Sequence, residues 1–294
     1  MSVCARLPVV RPLSSVTSMD RLSERPVVVD DVTIEFRGRR SRRSTALRGV
    51  SLELGRNEVL GVVGESGSGK SALAAVLSAR DLRTQTMSPK IIGGSITVLG
   101  TRLGRLGHRE RDRLQLNIGY LPQDAADRLT PNLSVAENLA EPFLSRDRRY
   151  DRRELAMRVM QFLEAVRLPI VTMEKLPHEL SSGQRQRVAI AKSLMLEPTL
   201  WIADEPTAGI DATVRDTVPE LVHQIQQIRD FSAVIVSHDL SVTTQLADRI
   251  AVLYHGELVG YGEVDEVLAN PYHPYVSGLA ASRSHSHHHP PTLR

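Results

Sequence analysis

The sequence predicts an α/β protein: a mostly parallel sheet with helices on both faces, a β-rich layer at its N-terminal side, and an inserted helical subdomain. Three observations carry this reading. Short apolar runs alternate with helix-length runs from 199 to 262, two alternating segments stand close together between 27 and 54, and from 133 to 168 apolar residues recur at helical spacing within a charged stretch.

In chain order, "VVVDDVTIEF" (27–36) and "TALRGVSLEL" (45–54) alternate and read as two strands joined by an arginine-rich loop. "EVLGVVG" is a third, more buried strand; the glycines at 64, 67 and 69 follow it, and a helix begins near Lys70. "GGSITVLG" (93–100) and "NIGYLP" (117–122) give two more strands. Between 133 and 168, Leu155, Val159, Phe162, Leu163 and Val166 mark an amphipathic helix. Alternation resumes with "TLWIAD" (199–204), a helix over about 212–229, "SAVIVS" (232–237), a short helix, "RIAVLY" (249–254) and "ELVGYG" (257–262).

The 294 residues, 41% of them apolar, can fill a substantial core. No apolar run reaches about 18 residues, so no segment spans a bilayer by itself, and any membrane role must come through partners. Residues 1–25 are arginine- and proline-bearing, without the apolar centre of a secretory signal; they read as a disordered tail in which Met19 is an alternative start to Met1. Cys4 is the single cysteine, which excludes an internal disulfide, a multi-cysteine zinc site and a cysteine-held iron–sulfur cluster, and fits a reducing cytosol. The formal charge is +3, with a basic cluster "RGRRSRR" at 37–43. That cluster reads as a solvated hairpin tip, against the alternative of a nucleic-acid or lipid-headgroup contact.

The chemistry begins with "GESGSGKS", residues 64–71, set between a predicted strand and a predicted helix. The pattern G-x-x-x-x-G-K-S needs its glycines so that backbone N–H groups can converge on phosphate oxygens. The helix start adds its positive dipole end, Lys70 can reach β- and γ-phosphates, and the Ser71 hydroxyl can ligate Mg²⁺. Gly64, Glu65, Ser66, Gly67, Ser68, Gly69, Lys70, Ser71 and Ala72 are therefore the expected nucleotide-binding loop. A phosphate-bound Mg²⁺ also needs a carboxylate at a neighbouring strand end, which "LWIADEP" supplies in Asp204. The next residue, Glu205, fits as the group that orients or deprotonates an attacking water.

With these residues in view, the chain from about 27 to 281 resembles the ATP-binding-cassette ATPases. "LSSGQ" (180–184) resembles their signature, "YLPQD" places Gln123 as the Q-loop glutamine, "AGID" (208–211) looks like the D-loop with Asp211, and "VSHD" places His238 as the switch histidine. Phe36 stands where the family keeps an adenine-stacking aromatic; strand-end core packing is its other reading. The resemblance implies a P-loop NTPase fold with a RecA-like sheet, an ATPase domain over 26–281, a helical subdomain over about 125–195, and a disordered His-rich tail over 282–294. It implies ATP and Mg²⁺ as cofactors, with Ser71, Gln123 and Asp204 toward the metal. Catalysis would fall to Glu205, His238 and Lys70. Two cassettes would face head to tail, so that Ser181, Ser182, Gly183 and Gln184 complete the partner's ATP site.

"VLANPYHPYVSGL" (267–279) and "RLTPNLSVAENLAEPF" (128–143) resemble the ATPases of oligopeptide, dipeptide and nickel importers. The implied partners are a second ABC ATPase subunit, two transmembrane permease subunits and, indirectly, an extracytoplasmic solute-binding protein; the implied location is peripheral, on the cytoplasmic face of the cell membrane. Members that continue into a cysteine-rich iron–sulfur segment differ from this chain, which has no cysteine there. The alternative is a cassette subunit of a soluble complex, similar to those of the carbon–phosphorus lyase, or a nucleic-acid-associated ATPase. One cassette, no zinc cysteines and no long coiled coil argue against the last, so no nucleic acid is expected. His285, His287, His288 and His289 could bind nickel or zinc, or simply belong to a disordered tail.

Overall fold

The structure, a computed structural model, describes residues 25–37, 43–80, 88–104, 106–147, 149–209, 217–228 and 230–286. Asp211, the arginine-rich residues 38–42, the N-terminal residues 1–24 and His287, His288 and His289 lie outside the described residues.

Two sheets form the frame. In the first, β1 (Val27–Arg37) pairs antiparallel with β2 (Arg43–Leu54) on one side and with β4 (Ser88–Val98) on the other, and the short β5 (Thr101–Arg102) extends the edge. The second sheet has the order β10-β9-β3-β8-β7-β6. Here β3 (Val59–Gly64), β6 (Ile118–Leu121), β7 (Leu200–Asp204), β8 (Ser232–Val236) and β9 (Arg249–Tyr254) run parallel, and β10 (Glu257–Glu263) closes the edge antiparallel. Every residue of β3, β7 and β8 is buried. That is why these strands are continuous apolar runs, with no polar face to alternate with.

The helix after β3 is α1 (Lys70–Leu77), whose Leu73 and Leu77 fill the core between the two sheets. A helix unmarked by the sequence reading, α2 (His108–Leu116), precedes β6; it buries Leu114 alone and so carries almost no apolar periodicity. The expected helix over 133–168 is two helices, α3 (Val135–Leu144) and α4 (Arg152–Ala165). Each has its own start: Ser134 and Glu137 form a capping box that begins α3, and Asp151 accepts from the N–H groups of Arg153 and Glu154 to begin α4. A helix α5 (Ser182–Leu194) completes the subdomain, and Leu139, Phe143, Val159, Leu163, Val188 and Ile190 share its core with Trp201 of β7.

Beyond β7, α6 (Thr217–Ile228) buries Val218, Val222 and Ile225, α7 (Leu240–Leu246) follows β8, and α8 (Val264–Ala269) and α9 (Pro274–Ser286) end the described chain. The last helix therefore runs to Ser286, past the expected boundary at 281, and takes the backbone of His285 with it. Among the described residues no helix is long and apolar enough to cross a membrane.

Candidate functional site

The strand order brings the motifs together. β3, β8, β7 and β6 are adjacent, and each is followed at its C-terminal end by one motif: the glycine loop after β3, Ser237 and His238 after β8, Asp204 and Glu205 at β7, and Gln123 after β6. Open parallel sheets take ligands at this edge.

The loop is held by backbone neighbours that leave no room for side chains. At Gly64 (φ 153°) a Cβ would meet the carbonyl of Leu253, and at Gly69 (φ 103°) it would meet the carbonyl of Ala46. Only glycine fits both the left-handed backbone and the contact. Gly67 (φ 82°) instead faces open space at the loop tip. Lys70, buried, donates from Nζ to the carbonyls of Gly64 and Glu65, each at 2.7 Å. Burial lowers its pKa, against the opposing pull of Glu205, Asp204 and Glu65.

A cleft of about 410 Å³ opens over the loop, lined among others by Phe36, Gly67, Lys70, Ser71, Gln123, Glu205 and His238. Ser66, Gly69 and Ala72 also face it, as do Ser44, Thr45 and Ala46 of β2, which the sequence reading missed. The only signal for these three lies in the hairpin register, which sets Phe36 opposite Ser44. Phe36 packs on the edge of the core and also lines the cleft. Gly64, Glu65 and Ser68 belong to the loop but do not line the cleft. Ser68 is buried, its N–H donates to the Glu65 carbonyl at 3.1 Å, and its Oγ has no hydrogen-bond partner among the described residues.

The two carboxylates sit in different surroundings. Asp204, 3% exposed, accepts from the Ser71 hydroxyl at 3.1 Å. Burial, opposed by that bond and reinforced by the neighbouring Glu205 charge, raises its pKa from 3.8 to about 6. Glu205 has a left-handed backbone (φ 56°) and is held by the backbone N–H of His238 at 2.9 Å, with the Ser237 hydroxyl at 3.4 Å. The His238 ring, 73% exposed, lies with Nδ1 2.9 Å from the same Glu205 oxygen.

These residues fit the magnesium nucleotide. A buried carboxylate pushed up beside a second carboxylate, with a serine hydroxyl on it and an amide-bearing Gln123 across the cleft, is an all-oxygen donor set short of positive charge. The described residues hold no group of three or more His, Cys, Asp or Glu able to bind a metal, so most of the metal's other ligands would come from phosphate and water.

The signature residues are elsewhere on the chain's surface. Ser181 and Gln184 form a capping box at the start of α5: the Ser181 hydroxyl accepts from Gln184 N–H at 3.2 Å, and Gln184 Oε1 accepts from Ser181 N–H at 3.0 Å. Ser182 and Gly183 follow, and a Cβ on Gly183 would meet nothing within 4 Å. From the same helix, buried Gln186 donates to the Pro206 carbonyl at 2.9 Å, tying the signature helix to the segment after Glu205. Nothing in the sequence singled out Gln186.

The comparisons agree with this geometry. The ABC transporter family matches residues 47–208. The chain is similar to the oligopeptide transport ATP-binding protein OppD of Bacillus subtilis, 37% identical over 81% of this chain and 66% of that protein. It is also similar to the dipeptide transport ATP-binding protein DppD of the same organism, 35% identical over 81% of this chain and 70% of that one. Among solved structures, the dimeric post-hydrolysis state of the ATP-binding cassette MJ0796 bound to ADP and Pi superposes with a TM-score of 0.71 at 26% identity, covering 81% of this chain and 98% of that one. A glycine loop with its lysine, a carboxylate pair and a histidine on one sheet edge, in a chain that these relatives match along most of its length, has one reading: the chain belongs to the ABC transporter family and is an ATPase of its ATP-binding-cassette type.

Proposed function

We propose that this chain is the ATP-binding and ATP-hydrolysing subunit of an importer for peptides or a similar small solute. It works as one of a pair of cassettes beneath two permease subunits, at the cytoplasmic face of the membrane, with a solute-binding protein acting on the far side. The observation that carries the reading is the convergence of Lys70, Ser71 and the Glu205–His238 pair on one open cleft, with buried Asp204 bonded to Ser71. The transport role rests on the similarity to OppD and DppD.

In this reading the loop N–H groups and the start of α1 bind the phosphates, and Lys70 leaves the carbonyls of Gly64 and Glu65 for β- and γ-phosphate oxygens. Ser71, Asp204 and Gln123 hold Mg²⁺, which when bound supplies positive charge against the phosphates. Glu205 orients the water that attacks the γ-phosphorus and takes its proton, while His238 fixes the carboxylate. Phe36 offers its ring to the adenine.

Gly183 supports the pairing with a second cassette. Glycine inside a helix costs about 1 kcal/mol relative to alanine, and no neighbour among the described residues requires it. A bare helix start beside Ser181 suits close approach to the partner's γ-phosphate, with Ser182 and Gln184 flanking it. Residues 128–143, just past Gln123, are the docking surface for the permeases.

The test is purification from native membranes. Recovery of a second cassette with two membrane-spanning subunits, and solute-dependent ATP turnover in that complex, is the expected result. Recovery only with soluble enzymes, or with nucleic acid, would overturn the transport reading while leaving the ATPase in place.

A further inference from the structure

The segment "NPYHPY" at 270–275 has no place in the chemistry above, yet its His273 and Tyr275 pack against Tyr254, at the end of the strand beside the one that leads into the phosphate loop. Val276 of α9 is 1% exposed and shares a small core with Val63 of β3, Val252 of β9, Leu240 of α7 and Leu268 of α8. Val63 directly precedes the loop, and Leu240 stands two residues after His238.

Aromatic contacts extend this core to the loop itself. Tyr275 stacks on Tyr254, with ring centroids 4.7 Å apart and an interplanar angle of 26°. His273 lies 5.3 Å from the same Tyr254 ring and accepts at Nδ1 from the Tyr275 N–H at 3.1 Å, which fixes the start of α9. Tyr254 immediately follows Leu253, whose carbonyl closes on Gly64. The turn after it is tied to β2, where Arg48 N donates to the Gly256 carbonyl at 2.8 Å. The carbonyl of Ala46 abuts both Gly256 and Gly69. The 253–256 turn thus borders the loop at its first glycine and shares a backing residue with its last.

We infer that Tyr275 is a positioning residue for the phosphate loop, acting through Tyr254 and the 253–256 turn. The inference rests on the loop's binding ATP. Three glycines make this loop soft, so its N–H groups converge on phosphate only while something outside it fixes its shape. Leu253 and Ala46 do so directly, and the ring of Tyr275 holds the Leu253 side in place. Glu65, the second residue of the loop, lies near enough to Tyr275 that its charge adds to the burial that raises the phenol's pKa.

The experiment is calorimetric titration of the full chain with ATP and Mg²⁺, for the unaltered protein and for Tyr275→Ala, Tyr275→Phe and Tyr272→Ala. Tyr272, 99% exposed, is the control. Tyr275→Ala is expected to weaken binding by about threefold to tenfold, the span of one aromatic pair, while Tyr275→Phe and Tyr272→Ala remain within about twofold. Hydrogen exchange should quicken in the amides of residues 64–72 of Tyr275→Ala. A loss under threefold for Tyr275→Ala, or a loss for Tyr275→Phe as large as alanine's, overturns the inference. Should the alanine variant not fold, Tyr275→Leu, which keeps apolar bulk without a ring face, is held to the same thresholds. An unaltered chain that binds no ATP would overturn the ATP reading itself, whatever the variants do.

Discussion

Glu205 Oε1 is engaged twice by one residue: the backbone N–H of His238 donates to it at 2.9 Å, and Nδ1 of the same histidine lies 2.9 Å away. The backbone contact fixes the carboxylate whatever the side chain does. The ring, largely exposed, is the part a nucleotide can reach. Glu205→Gln should therefore keep ATP affinity nearly intact and lower turnover by about 10²- to 10⁴-fold, with closed dimers accumulating. His238→Ala should lower turnover too, but with Glu205 still seated on its N–H. Single-turnover hydrolysis and ATP titration check both, and unchanged turnover for Glu205→Gln in the assembled complex would sink its role.

Asp204 makes the metal-free protein sensitive to pH. Its carboxyl is raised from 3.8 to about 6, chiefly by burial. Well below pH 4 it is protonated in folded and unfolded chains alike and costs nothing. As pH rises from about 4 to 6 the unfolded chain releases the proton first, so stability falls, and above pH 6 the full cost remains, on the order of 3 kcal/mol. Asp204→Asn should thus raise the melting temperature of the metal-free chain at pH 8 more than at pH 5. Mg²⁺ with nucleotide should stabilise the unaltered chain more than the variant. Equal shifts at both pH values would refute this account.

Ser181 and Ser182 separate a cap from a contact. Ser181 is the residue that satisfies a free N–H at the helix start, through its bond to Gln184 N–H. Ser181→Ala should therefore cost about 1 kcal/mol of stability, and a further charge-assisted bond of about 1.5–3 kcal/mol in the closed dimer. Ser182→Gly should leave turnover nearly unchanged. Melting curves and dimer turnover distinguish them, and a tenfold rise for Ser182→Gly would mark the site as degenerate and the pair as asymmetric.

Glu141 and Lys192 bind α3 to α5, at 2.6 Å, and Glu137 belongs to the capping box of α3. Charge reversal at Glu137 and Glu141, the direct way to challenge permease docking by residues 128–143, would therefore strike the fold first. Glu141→Lys should destabilise the chain and Glu141→Lys with Lys192→Glu should recover most of the loss, read by denaturant unfolding. Absence of recovery would show that the pair contributes little, as exposed pairs often do. Arg128 and Asn132, both exposed, are the better docking probes.

The sequence by itself determined the fold class, the phosphate loop and the carboxylate pair. Each of these is local: buried parallel strands must be continuous apolar runs, and phosphate chemistry demands fixed letters at fixed spacing. It could not mark α2, which buries one leucine, and it merged α3 and α4, whose separate starts are set by the side-chain caps of Ser134 and Asp151 rather than by apolar spacing. What only the tertiary structure decided is which distant residues meet. The order β9-β3-β8-β7 sets Leu253 against Gly64 and His238 against Glu205, and the hairpin register sets Ser44 beside Phe36. Those contacts depend on strand pairing between segments far apart in the chain, as in Gly64 opposite Leu253. No local pattern encodes a partner at that distance; the shared burial of both segments selects it.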